Sequence, residues 1–180
     1  MKVIICPGIH KTQLTDSFLN SIFRFEKELL SNKNSDLLVF PTEKDRAYSP
    51  VDIYQWLTSS TTLVELVFIC FSAGVVGGFG AASALQLQGV KIKAFVAIDG
   101  WGVPLLADFP IYRLSHDYFT HWSSALLGAG KESFYCDPPV PHLTLWEFPE
   151  ICQGWIVKEG KDGVTKIKSS AQNYLQHILL

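Results

Sequence analysis

Residues 66–90 form a run of twenty-five positions without an Asp, Glu, Lys or Arg. A bilayer-spanning helix needs roughly 20 apolar residues, so length alone permits a membrane span. The order of residue types argues against one. Gly74, Gly77, Gly78 and Gly80 crowd the middle, and Gln86 and Gln88 close the run. Its first part, Leu66-Val-Phe-Ile-Cys-Phe71, is β-branched and aromatic, the pattern of a strand buried on both faces. Its second part, residues 75–87, is rich in small residues, as in a helix that packs closely on a neighbour. The run therefore reads as a buried strand, a turn at Ser72 and a close-packed helix, with no membrane span expected.

The same grammar repeats along the chain. Apolar runs predict strands at residues 2–6, 36–40, 65–71, 91–98 and 132–136. Helices are expected at residues 14–30, with Asn32 to Ser35 as the break, and from Ser49-Pro50 through Leu57, with proline at the first helical position. Further helices are expected at residues 75–87, at 116–127 capped by Ser115, and at 165–179. Residues 99–114, with Pro104 and Pro110, read as irregular, and the pattern blurs after residues 142–146. Strands alternating with helices imply βαβ units. The expected fold is α/β: a three-layer sandwich around a mostly parallel sheet of five to six strands, in one domain over residues 1–180.

Charge narrows the function classes. Only 18% of residues are charged, and Lys+Arg 15 against Asp+Glu 17 gives a net charge of −2. A disordered chain needs the opposite balance, and a nucleic-acid partner calls for a basic footprint that is missing. Cys6, Cys70, Cys136 and Cys152 show no CxxC or Cys/His metal spacing, so buried, reduced thiols are expected and no metal. Met1-Lys2 is followed by four apolar residues before Pro7-Gly8, which is too little for a signal peptide, so a cytoplasmic location is expected.

The chemistry centres on Ile69-Cys-Phe-Ser-Ala-Gly74, where strand must turn into helix. This C-x-S-x-G resembles the nucleophile elbow, G-x-S-x-G, of the α/β-hydrolase superfamily. Cys70 and Gly74 supply the small residues two before and two after the serine. The resemblance, over residues 2–140, implies a minimal α/β-hydrolase-like fold with strand order 36–40, 2–6, 65–71, 92–98, 132–136. It implies Ser72 as nucleophile, with the Ala73 N–H as one oxyanion donor. The loop Pro7-Gly8-Ile9-His10 resembles the family's H-G-x loop, so Ile9, or else His10, is the second donor.

The superfamily's order is Ser, then Asp or Glu, then His. Asp99 follows the strand after the serine strand, a position some lipases of the superfamily use. Asp137 follows the next expected strand, in Asp137-Pro-Pro-Val-Pro141, which looks like the family's acid loop. One more helix and strand should then precede the histidine, but residues 157–170 contain none. His142 and His116 remain as alternative bases. His116, followed by Asp117, lies in a lid-like insertion at residues 100–131. His121 and His177 read as structural. His10, Phe71 and Trp101, with Phe109 nearby, are expected to wall a pocket.

The implied activity is a serine hydrolase cleaving an ester or thioester with an apolar acyl group, a small-molecule substrate, without a cofactor or metal. The alternative from another class is a hydrolase-like fold that binds a ligand without turnover. Oligomeric state is not legible.

Overall fold

β-Branched and aromatic runs make the strands of this fold, and the residues between them fold back as helices. The computed structural model describes residues 1–23, 36–42, 46–60, 64–160 and 163–179. In chain order these hold β1 (Lys2–Cys6), α1 (Thr12–Phe23), β2 (Asp36–Val39), α2 (Pro50–Ser60), β3 (Glu65–Phe71), α3 (Ala73–Leu87), β4 (Lys91–Ile98) and β5 (Ile111–Ser115). There follow α4 (Tyr118–Ala125), β6 (Glu132–Cys136), α5 (His142–Glu147), β7 (Gln153–Gly160), β8 (Gly163–Ser170) and α6 (Ala171–Leu179). The class is α/β, around one mixed sheet of order β2-β1-β3-β4-β5-β6-β7-β8. Neighbours from β2 to β6 pair in parallel, and β6-β7-β8 pair antiparallel.

Alternate residues of the central strands feed two separate cores. Val67, Ile69 and Phe71 of β3 face α1, α5 and α6 through Phe18, Trp146 and Tyr174. Leu66, Phe68 and Cys70 face α2 and α3 through Ile53, Leu57 and Ala82. This accounts for the uncharged run: β3 is buried on both faces, and α3 lies close on the sheet. A Cβ at Gly78 would sit 2.4 Å from Cys70 Sγ, so only glycine lets the helix come so near. Among the described residues no helix is long and apolar enough to cross a membrane. All four cysteines are free and buried.

Four expectations are corrected. First, the sheet has eight strands rather than five to six. The segment 99–114, read as irregular, contains the start of β5, which slots between β4 and β6. Arg113 in its middle and Pro110 before it hid the apolar run. Second, residues 165–170 are strand, not helix. Val164, Thr165 and Ile167 are β-branched, and Gly163 takes φ 114° where β7 and β8 meet. The helix begins only at Ala171, where it buries Tyr174, Leu175 and Ile178. Nine residues are too few to hold as a helix alone, so this packing sustains it. Third, α4 is capped by Asp117, whose carboxylate accepts the Thr120 N–H at 2.7 Å, whereas Ser115 belongs to β5. Fourth, beyond residues 142–146, where the pattern blurred, the chain forms the strand β7. The expected α1 reached further than can be followed: Leu29, Leu30 and the break at Asn32 to Ser35 lie outside the described residues.

Candidate active site

The carboxyl ends of β3, β4, β5 and β6 share one edge of the sheet, and the titratable residues gather there. β3 ends at Phe71, and Ser72 turns the chain into α3 with φ 51° and ψ −119°. A side-chain-bearing residue rarely adopts that backbone. The Ser72 N–H donates to Ile98 O at 2.9 Å, which ties the turn to β4. Its hydroxyl does not cap α3, and among the described residues it makes no hydrogen bond. The loop after β1 presses on this turn. A Cβ at Gly8 would lie 3.0 Å from Ser72 Cβ, and one at Gly74 would lie 2.1 Å from Cys6 O. Gly74 therefore needs to be glycine, and a side chain at Gly8 would press on the serine turn.

Asp99, at the end of β4, is the second residue with an unusual backbone, φ 50°. It is 5% exposed, and its N–H donates to Leu114 O at 2.8 Å. Its carboxylate is fully engaged. Oδ1 accepts the His116 backbone N–H at 2.9 Å. Oδ2 accepts from His116 Nδ1 at 3.0 Å and from His142 Nδ1 at 2.8 Å. Burial pushes the Asp99 carboxyl up, but the hydrogen bonds from His116 and His142 outweigh it and hold it below its ordinary value. The hydrogen bond to Asp99 lifts His116 above the ordinary histidine value, against burial.

The two imidazoles are held differently. His142, at the start of α5, stacks on Phe71 with ring centroids 4.6 Å apart. Phe71 stacks on Trp146 at 5.0 Å, and Trp146 on Phe18 at 3.9 Å. His142 thus rests on a column of rings rooted in the core, while among the described residues its Nε2 makes no hydrogen bond. His116 Nε2 instead lies 3.6 Å from Asp117 Oδ2. His116 is flanked by two carboxylates and His142 by one.

Ser72, Asp99, His116 and His142 line one cavity of about 490 Å³, together with Ala73, Trp101, Val103 and Phe119. Of the residues expected in the site, these six come together: Ser72, Ala73, Asp99, Trp101, His116 and His142. Asp137 stands apart. It is exposed, accepts from Trp155 Nε1 at 2.9 Å, and lines a different cavity of about 510 Å³ beside Lys166. Phe71 supports His142 from beneath and is fully buried. His10 points an edge at Phe71 at 5.6 Å and its Nδ1 donates to Lys11 O at 2.9 Å. Ile9 is 74% exposed, in the loop beside the serine turn. Phe109 packs in the core under α3 rather than in the cavity. Sequence reasoning missed Phe119 and the carboxylate of Asp117 behind His116. The adjacency of His116 and Asp117 was the available signal for the last.

Asp99, His116 and His142 each offer one ligand atom within 4.8 Å of the others, close enough to serve as ligands to one metal ion. The chain matches no protein-family model and no curated protein sequence.

Proposed function

We propose that the chain is a serine hydrolase acting on an ester or thioester with an apolar acyl group. One observation carries the reading. A buried carboxylate grips His142 Nδ1 at 2.8 Å, in the same cavity as a serine that sits on a strained strand-to-helix turn with its hydroxyl unbonded. β5 adds weight to the resemblance. With β5 counted, a helix and a further strand separate it from His142, which is the spacing the superfamily asks of its histidine. Ser72, Asp99 and His142 then follow the superfamily's order of nucleophile, acid and base. The helices on both sheet faces suit a minimal α/β-hydrolase-like fold of three layers.

In this reading Asp99 keeps the His142 proton on Nδ1, so Nε2 is free to take the Ser72 proton. Ser72 Oγ attacks the carbonyl carbon. The Ala73 N–H at the start of α3, and the Ile9 N–H from the loop against the serine turn, receive the oxyanion. His142 returns its proton to the leaving alcohol or thiol, and a water activated by the same imidazole releases the acid. His116 is not the base, because its Nε2 faces Asp117. It holds Asp99 from the other side. The cavity's apolar wall of Trp101, Val103 and Phe119 takes the acyl group.

A second reading, binding without turnover, draws on one observation: neither imidazole is hydrogen-bonded to Ser72 Oγ. Such contacts are often long before substrate binds. A fluorophosphonate probe separates the two. The wild type is expected to be labelled and Ser72→Ala not. No labelling of a folded wild type sinks the hydrolase reading, and equal labelling of both moves the nucleophile elsewhere. His142→Ala should lower kcat by about 10⁴-fold or more, the scale of losing a triad member, and His116→Ala by far less.

A further inference from the structure

Asp99 has more imidazole around it than a proton relay requires. One histidine is enough to take a proton from Ser72, yet the second aims its Nδ1 at the same oxygen. The Oδ2–Nδ1 separations are 2.8 Å to His142 and 3.0 Å to His116. Tetrahedral zinc bonds of about 2.0–2.2 Å place neighbouring ligand atoms about 3.3–3.6 Å apart, so each Oδ2–Nδ1 contact would open by only about 0.5 Å as the metal replaces the shared proton. Two imidazoles and one carboxylate form a donor set that zinc accepts with a coordination position left open. The surroundings fit as well. A ligating imidazole usually gives its other N–H to a carboxylate, and His116 Nε2 lies 3.6 Å from Asp117 Oδ2. Asp99 Oδ1 is taken by the His116 backbone N–H, which leaves Oδ2 as the ligating oxygen. The cavity supplies the way in and the open position.

We infer that Asp99 Oδ2, His116 Nδ1 and His142 Nδ1 form a site for a divalent ion of the zinc type, and that its occupancy switches off Ser72. To ligate through Nδ1, each ring is neutral with its proton on Nε2. His142 then has no lone pair to accept the Ser72 proton, and Asp99 no longer orients it. The switching clause rests on the serine-hydrolase reading, whereas the binding clause does not.

The test titrates zinc chloride into the wild type, His116→Ala, His142→Ala and Asp117→Asn by calorimetry. Circular dichroism checks each fold, and turnover of 4-nitrophenyl acetate by the wild type is followed in parallel. One ion per chain is expected. Affinity should fall at least tenfold in both histidine variants and about tenfold in Asp117→Asn, the usual loss for an outer carboxylate. Wild-type turnover should fall with the bound fraction and return on chelation. No binding by the wild type at millimolar zinc overturns the site, as does unchanged affinity in both folded histidine variants. Turnover that persists with zinc bound overturns the switch. Binding that depends on the histidines in a protein without esterase activity upholds the metal site and sinks the hydrolase reading. A strong near-ultraviolet thiolate band with cobalt(II) assigns the ion to cysteines and overturns the site.

Discussion

Ser72 and Asp99 end adjacent strands with φ near 50°, a conformation that costs a side-chain-bearing residue about 1–3 kcal/mol. Each is held there by its own N–H, on Ile98 O and Leu114 O respectively. If strain at Ser72 serves chemistry rather than folding, Ser72→Gly should raise the urea midpoint by an amount equivalent to about 1 kcal/mol while removing probe labelling. A lower midpoint would show that the turn is not strained. Gly74→Ala should do the opposite, because its Cβ would lie 2.1 Å from Cys6 O, a backbone atom with little room to yield. A loss of more than about 2 kcal/mol, on the scale of overpacking a tight core, is expected from the same measurement. The Asp99–His116 contact also sets how stability follows pH. His116 is raised in the folded state, so its contribution is complete below the ordinary histidine value of about 6.5 and is lost as pH rises through the higher folded value. Asp99 is lowered, so its contribution is present above about 3.9 and is lost as pH falls through the lower folded value. Urea midpoints should therefore drop on the alkaline side, and His116→Ala should flatten that limb. An unchanged slope in the variant would remove His116 as the cause.

At the scale of elements, β5 is the lesson. Its sequence, Ile111-Tyr-Arg-Leu-Ser115, puts a guanidinium in the middle of a buried strand, and strand patterns do not anticipate a buried charge. The structure accounts for it: Arg113 donates to the carbonyl oxygens of Gly128, Val103 and Leu127. Burial pulls its pKa down to about 10, which leaves it protonated at neutral pH. In the proposed hydrolase reading, β5 is the strand that sets His142 at the spacing that reading requires. The serine turn and Asp99 were legible because each follows an apolar run, whereas His116 follows β5, which the pattern hid, and His142 follows a proline-rich loop. Which acid meets which histidine was not legible, since that depends on where β5 falls in the sheet. The helix expected at residues 165–179 failed for a related reason: β8 is exposed along most of its length and carries no apolar run to announce it. Arg113→Met should uncover the carbonyls it ties together. Orphaned buried acceptors cost about 1–3 kcal/mol each, so a loss of about 3 kcal/mol is expected. Amide exchange should quicken in residues 100–106 and 126–130 ahead of the sheet. Uniform quickening, or none, would mean that Arg113 does not pin this segment.

At the scale of the whole molecule, six parallel strands end at one edge, and crevices at such edges are where open α/β sheets take ligands. The five strands expected from sequence keep their expected order of neighbours, with β5 alone interposed. Their positions follow from their apolar character, because strands buried on both faces announce themselves, whereas their order was implied by the resemblance alone. What the edge holds depends on the segments that cross it. Trp101, from the loop after β4, and Phe119, from α4, are 64% and 60% exposed, yet both line the cavity with Ser72. Large rings left in water beside a candidate nucleophile make sense where an apolar group comes to cover them. An acyl chain lying on them would bury surface worth about 1.5–3 kcal/mol per side chain, equivalent to about 10- to 100-fold in affinity. Phe119→Ala and Trp101→Ala should therefore raise KM for octanoyl esters by about tenfold or more. The increase for acetyl esters, too short to reach the rings, should be much smaller, with kcat moving little for either. Equal increases for both esters would show that the rings support the fold of the edge rather than the substrate, and would move the acyl site elsewhere in the cavity.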